Sequence, residues 1–209
     1  MSVGDLDNTR WDNTRWDDAN RDDAAAGDAG ADLLAGLPGH PMIWILILSE
    51  LAVFGVAFIG FAVARLLDPA GFAAGQAHLD PMLGGLNTIV LVTSGFLAAS
   101  GVALRREGSR SRARGLFGAA AGLGLLFLVI KGTEYAASMA AGLTLDGGGF
   151  PSLYYLLTGF HALHVVMGII LLLIVAWHDS VENLETGAAF WHMLDLVWVV
   201  LYPLLYLLR

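Results

Sequence analysis

Five long apolar runs constrain this chain more than any other feature. They cover residues 42–67, 83–104, 116–140, 153–177 and 188–208, with short polar connections between them. A helix rises about 1.5 Å per residue, so ~20 apolar residues cross ~30 Å of hydrocarbon. Each run approaches or exceeds that length, and Pro41 opens the first at a helix-starting position. The first run cannot be a buried helix of a soluble core, because four more like it follow and none offers an amphipathic partner. The fold class is therefore all-α: a polytopic membrane bundle of five transmembrane helices over residues 41–209, preceded by a polar tail over residues 1–40.

Composition agrees. The chain is 56% hydrophobic and 14% charged, with a mean hydropathy of +0.66, against about 45–50% apolar and ~25% charged for soluble domains. Nine of the nineteen acids fall in the first 32 residues, so the formal charge of -8 describes the tail. It supplies no basic surface and excludes a nucleic-acid partner. The absence of cysteine excludes disulfides, thiolate catalysis and Cys-ligated metals. The tail carries a tandem repeat, Asp7-Asn8-Thr9-Arg10-Trp11 and Asp12-Asn13-Thr14-Arg15-Trp16. With no apolar period it reads as a disordered, acidic, cytoplasmic segment, and no apolar h-region marks it as a signal peptide.

Arginine sets the orientation. The connection 105–115 holds five arginines and one acid, whereas 68–82, 141–152 and 178–187 hold no Lys or Arg. Short Lys/Arg-rich connections stay in the cytoplasm. The N-terminus is therefore inside and the C-terminus outside. Arg65 near the outer end of the first helix opposes the rule, but one snorkelling arginine does not outweigh five.

A charge in the hydrocarbon costs at least ~2.5–3.5 kcal/mol, so each one needs a partner or a purpose. The candidates are Glu50, Lys131, Glu134, His161, His164, His192 and Asp195. Depth counted from the apolar boundaries predicts an inner cluster of Glu50, His192 and Asp195. It predicts an outer cluster of Glu134, His161 and His164, with Lys131 reaching toward it. His161, His164 and Gly168 share a helical face. His192, Asp195, Val199, Tyr202 and Tyr206 form a stripe expected to face the bundle or a partner subunit. Gly115, Gly118, Gly122 and Gly124 read as helix-packing positions.

Helix four reads TGFHALHVVMG over 158–168, and helix five ETGAAFWHMLDLVWVVLYPLLYLLR over 185–209. Ser49-Glu50 lies in helix one, Asn87-Thr88 in helix two and Glu134-Tyr135 in helix three. This succession resembles cytochrome c oxidase subunit III of the haem-copper oxidases over about residues 42–209, in the shorter, five-helix form. Glu185, Trp191, Trp198 and Gly159 are further motif positions. Lys131 and the 185–198 string look most like the branch associated with nitric oxide reductase. The resemblance implies a non-catalytic accessory subunit in a bacterial inner membrane, with no haem, copper or other cofactor of its own. It implies a catalytic haem-copper subunit as partner, and bound phospholipid. Glu50 matches a buried family carboxylate. The first two helices of larger members, one wall of their lipid cleft, have no counterpart here. Two other classes compete on the intramembrane charges alone: a small proton-linked transporter, and a haem-bearing membrane anchor using His161 or His164.

Overall fold

The computed structural model describes residues 41–145, 148–178 and 180–208. The tandem repeat and the expected disorder of the tail lie outside the described residues. The elements are α1 (Pro41–Leu67), α2 (Pro69–Gln76), α3 (Pro81–Arg106), α4 (Arg110–Ala140), α5 (Gly149–His178) and α6 (Val181–Tyr202), followed by a π-helical turn (Pro203–Leu207). Among the described residues, five helices are long and apolar enough to cross a membrane: α1, α3, α4, α5, and α6 together with the π-turn.

The breaks between helices follow from local chemistry. Asp68 ends α1 and caps α2, its carboxylate accepting from the Gly71 N–H at 3.0 Å, with Pro69 at the first helical position. Asp80 does the same for α3, accepting from Met82 N at 2.8 Å ahead of Pro81. Ser180 caps α6 by accepting from Asn183 N. Gly108 (φ 88) and Gly142 (φ 89) supply the left-handed residues after α3 and α4. Asp and Ser at N-caps and Gly past helix ends are the expected punctuation.

Two sequence expectations change here. The arginine-rich connection shrinks to residues 107–109. Arg105 and Arg106 close α3, and Arg110, Arg112 and Arg114 open α4, since arginine is a good helix former and helices overhang the hydrocarbon. The segment expected as the outer connection 68–82 contains the short helix α2.

Helices α3, α4, α5 and α6 form a closed ring, each packed on two neighbours, while α1 lies outside against α5 and α6. The core contains Phe54, Leu91, Phe127, Tyr154, Trp191 and Trp198. Large apolar side chains such as Val56, Ile59, Phe96 and Leu163 point outward, as lipid-facing surface requires. Of the glycines expected to pack, only Gly124 is closed in: an added Cβ would meet Trp191 at 2.6 Å. Gly115, Gly118 and Gly122 face open space.

Candidate functional site

Glu50, Lys131, Glu134, His164, His192 and Asp195 fall into three clusters. The first joins α4, α5 and the π-turn. Lys131 Nζ donates to Glu134 Oε1 at 3.2 Å, to the Tyr154 hydroxyl at 3.0 Å and to the Tyr206 hydroxyl at 2.6 Å. Both tyrosine hydroxyls donate to Glu134 Oε1. The side chains of Lys131 and Glu134 are 2% and 4% exposed. The ammonium also lies 4.8–5.4 Å from the ring centroids of Tyr135, Tyr154, Trp198 and Tyr206. Such a pair survives burial only when opposite charge and hydrogen bonds replace its hydration, and the ring faces add cation–π attraction.

The C-terminal π-turn completes this cluster. It starts at Pro203, and Leu208 N bonds to Pro203 O in the wider i→i+5 pattern. Gln76 of α2 reaches back to donate to the carbonyls of Leu204 and Leu205 at 3.3 and 3.0 Å. The turn delivers Tyr206 to Lys131.

The second cluster ties α1 to the ring. Glu50 Oε2 lies 3.1 Å from His164 Nε2, while His164 Nδ1 is 2.8 Å from the Phe160 carbonyl. A carbonyl only accepts, so Nδ1 carries a hydrogen. Nε2 is left to face the Glu50 carboxyl across the α1–α5 contact. Phe54 and Phe160 flank it with ring centroids 5.5 and 4.5 Å from His164.

The third cluster is His192–Asp195, with Nδ1 to Oδ2 at 3.5 Å, beside Gly95. His192 is 47% exposed. It lines an open apolar groove of about 470 Å³ between α1, α3 and α6, walled by Trp44, Leu51, Val102, Ala189 and Leu196. Arg106 and Glu185 close one end, joined at 2.8 Å.

This corrects the expected two-layer sorting. Glu50 joins His164 and leaves His192 and Asp195 to each other. The sequence count started α5 at residue 153, but the helix begins at Gly149 and runs 30 residues, about 45 Å, longer than the hydrocarbon is thick. His164 therefore lies deeper from its own start than the apolar boundary suggests. His161 also differs from expectation. It is fully buried, stacked on Trp198 at 5.3 Å and 27°, with Phe127 and Phe54 at its edges. Neither ring nitrogen has a hydrogen-bond partner among the described residues. Of the expected stripe on the last helix, Asp195 and Tyr206 turn into the bundle while His192 and Val199 are half-exposed, and the buried face runs on through Trp191, Leu194, Trp198 and Leu201.

The remaining motif residues stitch helices together. Trp191 and Trp198 on α6 donate their indole N–H groups to Ser94 and Thr88 on α3, each at 3.0 Å. Ser94 passes its own hydrogen to Ala120 O on α4 at 2.7 Å. Asn87 Nδ2 bonds to Phe127 O at 3.3 Å. Tyr135 and Thr158 share a bond of 2.6 Å next to Gly159. Ser49 turns back on Leu46 O. The Trp–hydroxyl pairs were missed by sequence reasoning. Their signal was two tryptophans seven apart opposite Thr88 and Ser94, six apart, on an antiparallel helix. Among the described residues no three His, Asp or Glu side chains converge as a metal-binding group.

Comparison with known proteins adds an independent line. The family model for cytochrome c oxidase subunit III matches residues 10–208. The chain is 34% identical to the cytochrome c oxidase subunit 3 of Synechocystis over 187 residues, covering 83% of this chain and 79% of that one. It is 30% identical to that of Thermostichus vulcanus, covering 78% and 84%. A haem-copper oxidase subunit I+III of Aeropyrum pernix is 31% identical over 181 residues, 78% of this chain and 22% of that longer one.

Proposed function

Because the chain belongs to the cytochrome c oxidase subunit III family, we propose that it serves as the non-catalytic accessory subunit of a haem-copper oxidase, beside the catalytic subunit I in the membrane. The observation that carries this reading is the family match across nearly the whole chain, from residue 10 to 208. The Aeropyrum relative, named as a subunit I+III, supports subunit I as the neighbour. The clusters fit a supporting role. Lys131–Glu134 fastens α4, α5 and the C-terminal turn, and Glu50–His164 fastens α1. The outward faces of the spans carry large apolar side chains such as Val56, Phe96 and Leu163, a surface suited to lipid or a neighbouring subunit.

The finer parts of the reading are ours too. A bacterial plasma membrane is the setting, with the N-terminus cytoplasmic. Five arginines stand at the end of the bundle where α1 starts, since Trp44 and Arg106 line the same groove. The subunit holds no redox cofactor, and phospholipid is the ligand that suits its apolar flanks. A partner that reduces nitric oxide is the second reading, favoured by the charged Lys131.

The test is affinity purification of the tagged chain from gently solubilised native membranes, with an absorption spectrum and identification of co-purifying subunits. Haem that arrives with a large subunit and is lost when the chain is isolated supports the proposal, and the large subunit names the reaction. A colourless chain alone would refute it. Colour retained by the isolated chain would favour the haem-anchor reading.

A further inference from the structure

Among the described residues, six buried side-chain atoms have no hydrogen-bond partner: Gln76 Oε1, Asn87 Oδ1, Glu134 Oε2, both ring nitrogens of His161 and Asp195 Oδ1. They follow the interior of the ring. Asp195 sits beside Gly95 of α3. Two turns along α3 comes Asn87, next to Thr88, which accepts the Trp198 indole. His161 stacks on that same Trp198 and meets Phe127, whose carbonyl takes Asn87 Nδ2. Lys131, 5.3 Å from the Trp198 ring, leads on to Glu134. Gln76 lies at the far end, against the π-turn.

A buried polar atom without a partner bears its whole desolvation penalty, and a bilayer offers no solvent to relieve it. The chemistry of the central level identifies what would. Asn87 Oδ1 needs a donor. A neutral imidazole needs a donor at one nitrogen and an acceptor at the other. A cation serves the oxygen and repels the ring N–H; an anion does the reverse. Only a neutral species that both donates and accepts satisfies all three, and with the rings of Phe54, Phe127 and Trp198 packed around the imidazole it must be the smallest such species. Globular interiors hold roughly one buried water per 27 residues, each bound to about three polar groups.

We propose that the core of the ring binds a file of ordered water molecules, centred on His161 and Asn87 and continuing to Asp195 on one side and Glu134 on the other. His161 is thus a water ligand, in place of the haem ligand that the competing membrane-anchor reading would make it. The file gives the two carboxylates, which belong to different clusters, a shared hydration that the direct hydrogen bonds do not provide.

X-ray pulse radiolysis of the full chain in phosphatidylcholine nanodiscs, in ¹⁸O-water, reads this out. Bound water converts to hydroxyl radical in place and labels the side chains it touches. Trp198 and Phe127 are as buried as Phe117, yet should label at least tenfold faster. Labelling should fall to the Phe117 rate in an Asn87→Leu/His161→Phe double variant. Equal rates for Trp198, Phe127 and Phe117 in the parent overturn the proposal. So does a double variant that melts higher than the parent, because apolar isosteres stabilise only where the polar atoms were dry. Should the variant fail to fold, the parent rates alone decide.

Discussion

Replacing Lys131 by Met removes the ammonium and keeps the length of the side chain. Three hydrogen bonds go with it, at 3.2, 3.0 and 2.6 Å. Glu134 then remains 4% exposed, and among the described residues its direct side-chain donors are Tyr154 and Tyr206. Breaking a buried pair from one side costs about 3–5 kcal/mol. The two tyrosine donors survive, which places this variant near ~3 kcal/mol, the lower end of that range. Lys131→Met/Glu134→Gln removes both charges, and paired removal is often near neutral. The double variant should therefore sit within about 1 kcal/mol of the parent, giving a coupling of at least ~2 kcal/mol. The assay is equilibrium unfolding in mixed dodecyl maltoside and dodecyl sulfate micelles, followed by tryptophan fluorescence, since Trp198 lies against the ammonium. A Lys131→Met protein as stable as the parent, or single losses that simply add in the double, would refute the view that opposite charge holds this corner.

Other sites give sharper contrasts. Gly168→Ala pushes a methyl to within 2.7–2.8 Å of Leu194 and Trp191 and should cost ~1–3 kcal/mol by overpacking, while Gly122→Ala, which meets nothing within 4 Å, should be silent in the same unfolding assay. Glu50→Gln leaves an amide donor for His164 and should change stability by less than ~1 kcal/mol, whereas Glu50→Leu strands the imidazole and should cost ~1–3 kcal/mol, with faster proteolysis near α1. Arg106→Gln breaks an exposed pair with Glu185 and should cost no more than ~1 kcal/mol, with a loss that shrinks in salt. Gln76→Leu removes the donor to the Leu204 and Leu205 carbonyls; a loss of ~1–3 kcal/mol accompanied by a shifted Tyr206 signal is expected.

The spans were legible because a bilayer demands ~20 apolar residues wherever a helix crosses it, whatever the packing. Their ends were less so. Apolar length stops at residues 104 and 116, while the helices run on through Arg106 and from Arg110, where arginines meet water and lipid headgroups. The polar residues were visible one by one, since a charge among apolar neighbours stands out. Their partners were not, because pairing depends on helix overhang and rotation. That is why Glu50 was assigned to His192 and Asp195 but meets His164. Tyr154 carried no signal at all: a tyrosine near a helix start reads as an interfacial anchor, and only the fold brings it to Glu134. Family membership was legible because TGFHALHV and WHMLDLVW are long strings in fixed order.

The placement of α1 outside the ring has a consequence for biogenesis. His164 lies 114 residues after Glu50. At ~5–20 residues per second of translation, α1 sits in lipid for roughly 6–23 s before its docking surface exists. Throughout that interval Glu50 lacks the His164 imidazole it meets in the finished bundle. The insertion machinery must therefore hold a helix whose carboxyl group will be matched only by the fourth of the five spans, the third to follow it out of the ribosome. Substituting Glu50 by an apolar residue separates the two stages: it eases the delivery of α1 and weakens its capture, so yield in the membrane and strength of the finished bundle move in opposite directions.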